Sequence, residues 1–176
     1  MRQSDPDKAL KLTIQPIGTI QTQFQDAAGT PIQPSRAGGS IGIVRVREEF
    51  AKGLKDLDGF ERIWLVYWLH KAPEGGLLVT PFLDAARRGA FATRAPVRPV
   101  PIGISAVKLL RVRGAVLDIA EVDILNGTPL LDIKPYVPEF DSYPSSAAGW
   151  FDESNSRRGL ADDRFEATQD AESERR

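Results

Sequence analysis

The chain has 176 residues, 41% of them apolar and 27% charged, with a net charge of −1 at neutral pH. That length suits one domain with its own core, and the near-neutral charge offers no global attraction to nucleic acid or membrane, so electrostatic recognition has to be local. The absence of cysteine excludes disulfides, thiolate metal sites and cysteine nucleophiles, and a single histidine, His70, excludes multi-histidine metal sites.

Residues 1–11 form a polar lead with an early proline, and no apolar run approaches the roughly 18 residues a membrane span needs. These features predict a soluble cytoplasmic protein with neither membrane nor metal among its partners. LTIQPIGTIQTQF, Leu12 to Phe24, is rich in β-branched residues and reads as a strand bent near Pro16 and Gly18. The stretch from Asp26 to Ser40 has glycines, prolines and no apolar period, so an irregular loop is expected, of a kind that often carries ligand contacts. IGIVRVR, Ile41 to Arg47, alternates as a strand with Val44 and Val46 on one face and Arg45 and Arg47 on the other.

The period then changes. Phe50, Leu54 and Leu57 fall at i, i+4 and i+7, Glu48 and Lys52 can pair, and Gly59 can end a short helix. RIWLVYWLH, ending at His70, is a continuous apolar run that predicts a central strand covered on both faces, with Trp64, Tyr67 and Trp68 in the core. Two further strands are expected, from Ile102 to Val112 and from Val116 to Leu125. In the second the apolar phase slips near Ala120, which a β-bulge would explain. Strands dominate and no βαβ alternation is visible, so the expected fold is mainly β: an antiparallel, barrel-like single domain over residues 12–150, with one or two short helices. Residues 151–176 are dense in charge and read as a flexible or partly helical tail.

Two segments carry the chemical signal. From Ala85 to Leu117 there is no acidic residue, whereas Arg87, Arg88, Arg94, Arg98, Lys108, Arg111 and Arg113 are basic. Guanidinium groups make bidentate contacts to phosphate or carboxylate, although Lys108, Arg111 and Arg113 fit a solvated strand face equally well. Arg94 and Arg98 stand among prolines that fix a loop and glycines that admit a ligand to the backbone. In the second segment, Asp123 to Tyr136, Asn126 and Gly127 read as a turn, while Asp132, Lys134 and Tyr136 alternate along one face of an extended stretch. An acid, an ammonium and a phenol on one face can move a proton, and Asp132 with Lys134 can equally form a structural salt bridge. His70 at a strand end reads more simply as a satisfied polar side chain. GxGxxG, GxxxxGK[ST], HExxH, GxSxG and the deaminase pattern are all absent, which argues against a Rossmann nucleotide site.

PIGTIQTQF, the PIQPSR loop, GLKDLDGFERIWLVYWLH, GAFATRAPVRPVPIG and DILNGTPLLDIKPY occur in the order and spacing of the TsaA-like family. The chain resembles that family, which includes the S-adenosylmethionine-dependent tRNA methyltransferases called TrmO, over about Ile17 to Pro138. The resemblance implies an antiparallel β-barrel that binds S-adenosyl-L-methionine near a homodimer interface. It further implies methylation at N6 of the threonylcarbamoyladenosine beside the anticodon of threonine tRNA. By position, the implied cofactor contacts are Gln33, Pro34, Ser35 and Arg36, then His70, Lys71 and Ala72, then Arg94, Ile104, and Ala120, Glu121, Val122 and Asp123. The DIKPY segment would line the substrate side with Arg98, Pro101 and Thr128, and Asp132, Lys134 and Tyr136 would act on the proton that leaves the acceptor.

The chain departs from the family pattern at three points. It has FER at Phe60 to Arg62 where the family usually shows FSH, and Val100 where the family shows asparagine in RPNPIG, which removes an amide beside the expected site. Longer bacterial members add a C-terminal domain implicated in tRNA handling, where this chain has its charged tail. A small-molecule methyltransferase, or a non-catalytic module that binds the cofactor or RNA, therefore remains open beside the tRNA methyltransferase.

Overall fold

The computed structural model describes residues 12–144, 146–153 and 159–165. Eight strands form: β1 (Gly18–Thr22), β2 (Ile41–Val46), β3 (Arg62–Trp68), β4 (Leu78–Val79), β5 (Arg88–Gly89), β6 (Ile102–Arg113), β7 (Val116–Ala120) and β8 (Thr128–Pro135). Six of them close an antiparallel barrel in the order β1-β2-β7-β6-β3-β8, and β4 pairs with β5 in a small separate hairpin. The expected mainly β barrel is therefore the observed architecture. Closure leaves the sheet without free edges.

Each barrel strand sends alternate side chains inward. Ile20, Val44, Ile63, Leu65, Val107, Leu117, Ile119 and Leu130 are fully buried there and form the main core with Tyr67. β1 is shorter than its apolar run, because it pairs with β2 and β8 only over residues 18–22. At Gly18 a Cβ atom would collide with the Arg45 carbonyl of the neighbouring strand, so glycine permits that close approach.

Three expectations are corrected. The segment after β2 is not an α-helix but two 3₁₀ stretches, Glu48–Leu54 and Leu57–Gly59, separated by Asp56 in the left-handed region at φ 65°. A three-residue turn does not hold i, i+4 and i+7 on one face, so Leu54 and Leu57 are buried whereas Phe50 lies out beneath the Arg47 guanidinium, 5.1 Å from its ring centre. β3 is not covered on both faces: Ile63, Leu65 and Tyr67 point in, while Trp68 is 47% exposed on the outside of the single-layered wall. The phase slip near Ala120 is no bulge. β7 ends at Ala120, Glu121 adopts φ 59°, and the chain resumes with Val122 and Ile124 buried.

The register breaks lie elsewhere, between Leu109 and Arg111 of β6 and opposite Val66 and Tyr67 of β3, where β8 holds Leu131 as an extra residue. The β8 break reverses that strand's phase, so Thr128 and Leu130 point in before it and Ile133 after it.

Of the residues expected to form the polar lead and the charged tail, 1–11, 154–158 and 166–176 lie outside the described residues, and the remainder of the tail is packed. Leu160 bridges Pro31, Ala161 exchanges backbone hydrogen bonds with Gly29 and Thr30, and Phe165 is buried against Val79, Ala95 and Phe82. A stretch dense in charge still packs where its few apolar residues find a partner surface. Among the described residues regular helix is limited to one turn, Pro138–Asp141, and no helix is long and apolar enough to cross a membrane.

Candidate functional site

At one end of the barrel β1, β3 and β7 finish while β6 and β8 begin, and their connecting loops surround a cavity of about 990 Å³. The loop 26–33 forms one side, the end of β3 and the start of β6 a second, and residues 123–128 the floor. The segment 91–98, expected to be ligand-binding, forms a further side, joined to the loop 26–33.

A buried polar chain runs into this cavity. The Ser105 hydroxyl donates to Asp123 Oδ1 at 2.6 Å, and the Tyr67 hydroxyl lies 3.0 Å from Ser105 Oγ. Ser105 spends its proton on Asp123, so Tyr67 is the donor to Ser105. Burial pushes the Tyr67 phenol well above its ordinary pKa, helped by the nearby Asp123 charge, and keeps it protonated. Burial likewise pushes the Asp123 carboxyl up to about 7, and the Ser105 hydrogen bond, its own backbone N–H and the Arg94 charge only partly oppose that. Gly103 makes this arrangement possible, because a Cβ there would stand inside the Tyr67 ring.

Asp123 owes its position to a tight corner. The Ser40 hydroxyl donates to the Val122 carbonyl at 2.9 Å and accepts from the Val122 N–H at 2.8 Å, while the Ser40 carbonyl accepts from Glu121 N–H at 2.8 Å. Thr22 Oγ1 holds the Ile124 carbonyl at 2.7 Å, and the Asn126 side chain accepts from Thr22 N–H at 3.1 Å. Asn126 and Gly127, the latter at φ 77°, are thus a turn that locks residues 122–128 to β1.

The cofactor contacts implied by resemblance divide. Gln33, His70, Lys71, Ala72, Arg94, Ile104 and Asp123 all line the cavity, and Gln33 Oε1 accepts from Arg94 Nη1 at 2.7 Å. Pro34, Ser35 and Arg36 form a 3₁₀ turn behind Gln33, outside the wall. Ala120, Glu121 and Val122 also stand outside it: Val122 is fully buried, and Glu121 is paired with Arg62. The Arg of FER is thereby engaged at a barrel wall rather than at the cavity. Burial and the neighbouring Lys71 charge lower the His70 pKa, which favours a neutral imidazole.

The implied substrate side is divided more sharply. Arg98 and Thr128 line the cavity, but Pro101 stands outside it and offers its carbonyl to Leu69 N–H at 2.8 Å. Asp132, Lys134 and Tyr136 do share one face, as their alternation predicts, yet that face is the outside of the barrel. Lys134 pairs with Asp132 at 2.8 Å and Tyr136 packs on Trp64 at 5.6 Å between ring centres, so none of the three reaches this chain's cavity. The basic stretch is also partly neutralised, by Arg88 with Asp84, Arg113 with Asp118 and Lys108 with Glu61. Among the described residues no cluster of three or more histidines and carboxylates could hold a metal.

Tyr67 and Ser105 are the site residues that sequence reasoning missed. One signal was available: Ser105 shares the inward phase of β6 with Val107 and Leu109, where a polar residue needs a buried partner.

The family described as the N-terminal domain of tRNA-methyltransferase O matches residues 19–142. The chain belongs to this family. It is 50% identical over 143 residues to a probable S-adenosyl-L-methionine-binding protein of Pyrococcus abyssi, a match covering 81% of this chain and 78% of that one. It is 36% identical to a human tRNA (adenine(37)-N6)-methyltransferase, covering 74% of this chain but only 31% of the human protein. The crystal structure of TrmO from Pseudomonas aeruginosa superposes with a TM-score of 0.68 at 32% identity, over 80% of this chain and 62% of that chain. The TrmO-family domain thus contains the barrel and most of the cavity, while several lining residues lie beyond the matched region.

Proposed function

We propose that this chain binds S-adenosyl-L-methionine in the cavity and transfers its methyl group to N6 of the modified adenosine beside the anticodon of threonine tRNA. The reading rests on family membership, on relatives named as S-adenosyl-L-methionine-binding proteins and tRNA methyltransferases, and above all on one observation: Asp123 and Arg94 face a single cavity.

The residues fit the cofactor. It carries a cationic sulfonium and ammonium, a carboxylate, and a flat adenine. The cavity offers the Asp123 carboxylate for a cation, Arg94 and Lys71 for an anion, and Leu69, Ile104 and Leu125 as apolar wall, within the usual size range of small-molecule sites. When bound, the cofactor supplies an electrophilic methyl group for in-line displacement. The chain's own part is positioning. Tyr67 and Ser105 fix the Asp123 carboxylate, the Gln33 side chain fixes Arg94, and the surrounding walls exclude water.

Asp132, Lys134 and Tyr136 act on the acceptor only as a partner's residues. They lie on the outer face that also carries Val66, Trp68, Ile102 and Ile104, the last three more than one third exposed. An exposed apolar strip flanked by polar groups is the surface expected at a homodimer interface. A dimer formed there brings the Asp132 face of one copy beside the next. The protein would work in the cytoplasm, where its tRNA substrate is found.

Purified protein is to be titrated with S-adenosyl-L-methionine by calorimetry, then supplied with labelled cofactor and threonine tRNA carrying or lacking the threonylcarbamoyl group. Transfer only to the modified tRNA supports the reading. Cofactor binding without transfer to either tRNA refutes the assigned acceptor, and no cofactor binding refutes the site.

A further inference from the structure

The family match ends at residue 142, but the cavity does not. Its outer wall is completed by Trp150, Phe151, Ala161 and Phe165. These residues are held in place. Trp150 Nε1 donates to the Ala92 carbonyl at 2.8 Å, and the Arg88 guanidinium lies 5.5 Å from the indole centre. Gly29 N–H donates to the Ala161 carbonyl at 2.9 Å, and Ala161 N–H to Thr30 at 2.8 Å. Phe165 packs edge-on against Phe82 with ring centres 4.9 Å apart, and Arg164 Nη1 clamps the Pro81 carbonyl at 2.7 Å.

The rim of this wall is aromatic and open. Phe91 is 77% exposed and Phe151 45% exposed, and the Phe151 ring stands 6.1 Å from the indole of Trp150. All three line the cavity that also holds Arg98, while Arg94 there serves the cofactor. The barrel core leaves Phe91 and Phe151 uncovered, so neither exposed ring is explained by folding. Splayed RNA bases are bound by this combination: aromatic faces for stacking beside arginine for the phosphates.

We propose that Phe91, Trp150 and Phe151 form the stacking surface for the acceptor base of an RNA, and that residues 148–153 and 159–165 fix which acceptor fits. This rests on the proposed tRNA methyltransferase reading and supplies its acceptor side. The DIKPY segment lies outside this chain's cavity and does not fill that role within one copy.

Phe91→Ala and Phe151→Ala alter exposed rings, so both variants should fold. Trp150→Phe keeps an aromatic ring but removes the anchoring N–H and presents a smaller face. The measurements are KM and kcat for modified threonine tRNA, cofactor Kd by calorimetry, and binding of a labelled anticodon stem-loop by anisotropy. Losing one stacked base weakens nucleic-acid binding by about five- to hundredfold. A rise of that size in tRNA KM and in stem-loop Kd, with cofactor Kd unchanged and with Phe151→Tyr restoring binding, is the expected result. Unchanged KM in a wild type that methylates tRNA overturns the stacking surface alone. A cofactor Kd that rises in step with KM also overturns it, by assigning the rings to the cofactor. If the wild type transfers no methyl group, stem-loop binding decides: weaker binding by the variants retains the surface, whereas equal binding, or none by the wild type, overturns it.

Discussion

Replacing Asp123 by asparagine separates stability from function at one atom. Asparagine is isosteric and its Oδ1 still accepts from Ser105, so packing and the Tyr67–Ser105 chain survive. What disappears is the charge. In the folded chain burial raises this carboxyl from 3.8 to about 7. Between those values the native state holds a proton that the unfolded chain has released, so this group's contribution to stability falls as pH rises and levels off above 7. At about 1.4 kcal/mol per pH unit, this group lowers stability relative to low pH by up to about 4 kcal/mol at pH 8, where it is ionised, and by about 1.6 kcal/mol at pH 5, where the native state still holds its proton. Asparagine removes that dependence. In urea unfolding of the unliganded protein followed by tryptophan fluorescence, Asp123→Asn should therefore gain about 3 kcal/mol more over the wild type at pH 8 than at pH 5. The same substitution should weaken cofactor binding, because the counter-charge is lost. A stability difference that does not change with pH, or one that favours the wild type at pH 8, refutes the buried-carboxylate reasoning.

Three further outcomes follow from the same geometry. Wild-type cofactor affinity should fall by about tenfold per pH unit as acidification through about 7 protonates Asp123, measured by calorimetry from pH 8 to 5. Arg94→Ala, which removes the cation held by Gln33, should raise cofactor Kd by about tenfold or more, and unchanged binding would place the cofactor elsewhere. Gly103→Ala forces a methyl group into the Tyr67 ring and should cost about 1–3 kcal/mol in urea unfolding, with Tyr67 turned away from Ser105. An alanine variant as stable as the wild type would show that the ring can move freely.

The barrel was legible because its signal is local. Alternation in IGIVRVR and the strand-like run from Ile102 to Val112 mark which side chains are buried, and a sheet closed on itself gives such strands a common inside. The same alternation correctly put Asp132, Lys134 and Tyr136 on one face. It could not say which face was inside, because the register break at Leu131 reverses the phase of β8. The 3₁₀ stretches escaped notice for a similar reason, since one residue with positive φ, Asp56, resets a period that sequence spacing carries straight through.

The sequence by itself determined the strands and their antiparallel, barrel-like closure, and its resemblance to the family implied that Gln33, His70, Arg94 and Asp123 share one site. Only the tertiary structure decided the environment of those groups. Asp123 becomes a raised-pKa carboxyl because the folded chain buries it, against the opposing hydrogen bond from Ser105, which is distant in sequence. Residues 159–165 join the cavity wall because Phe165 packs on Phe82, Val79 and Ala95. Burial and pairing across the chain are sums over neighbours that no local pattern records, and they fix both the charge of this site and its shape.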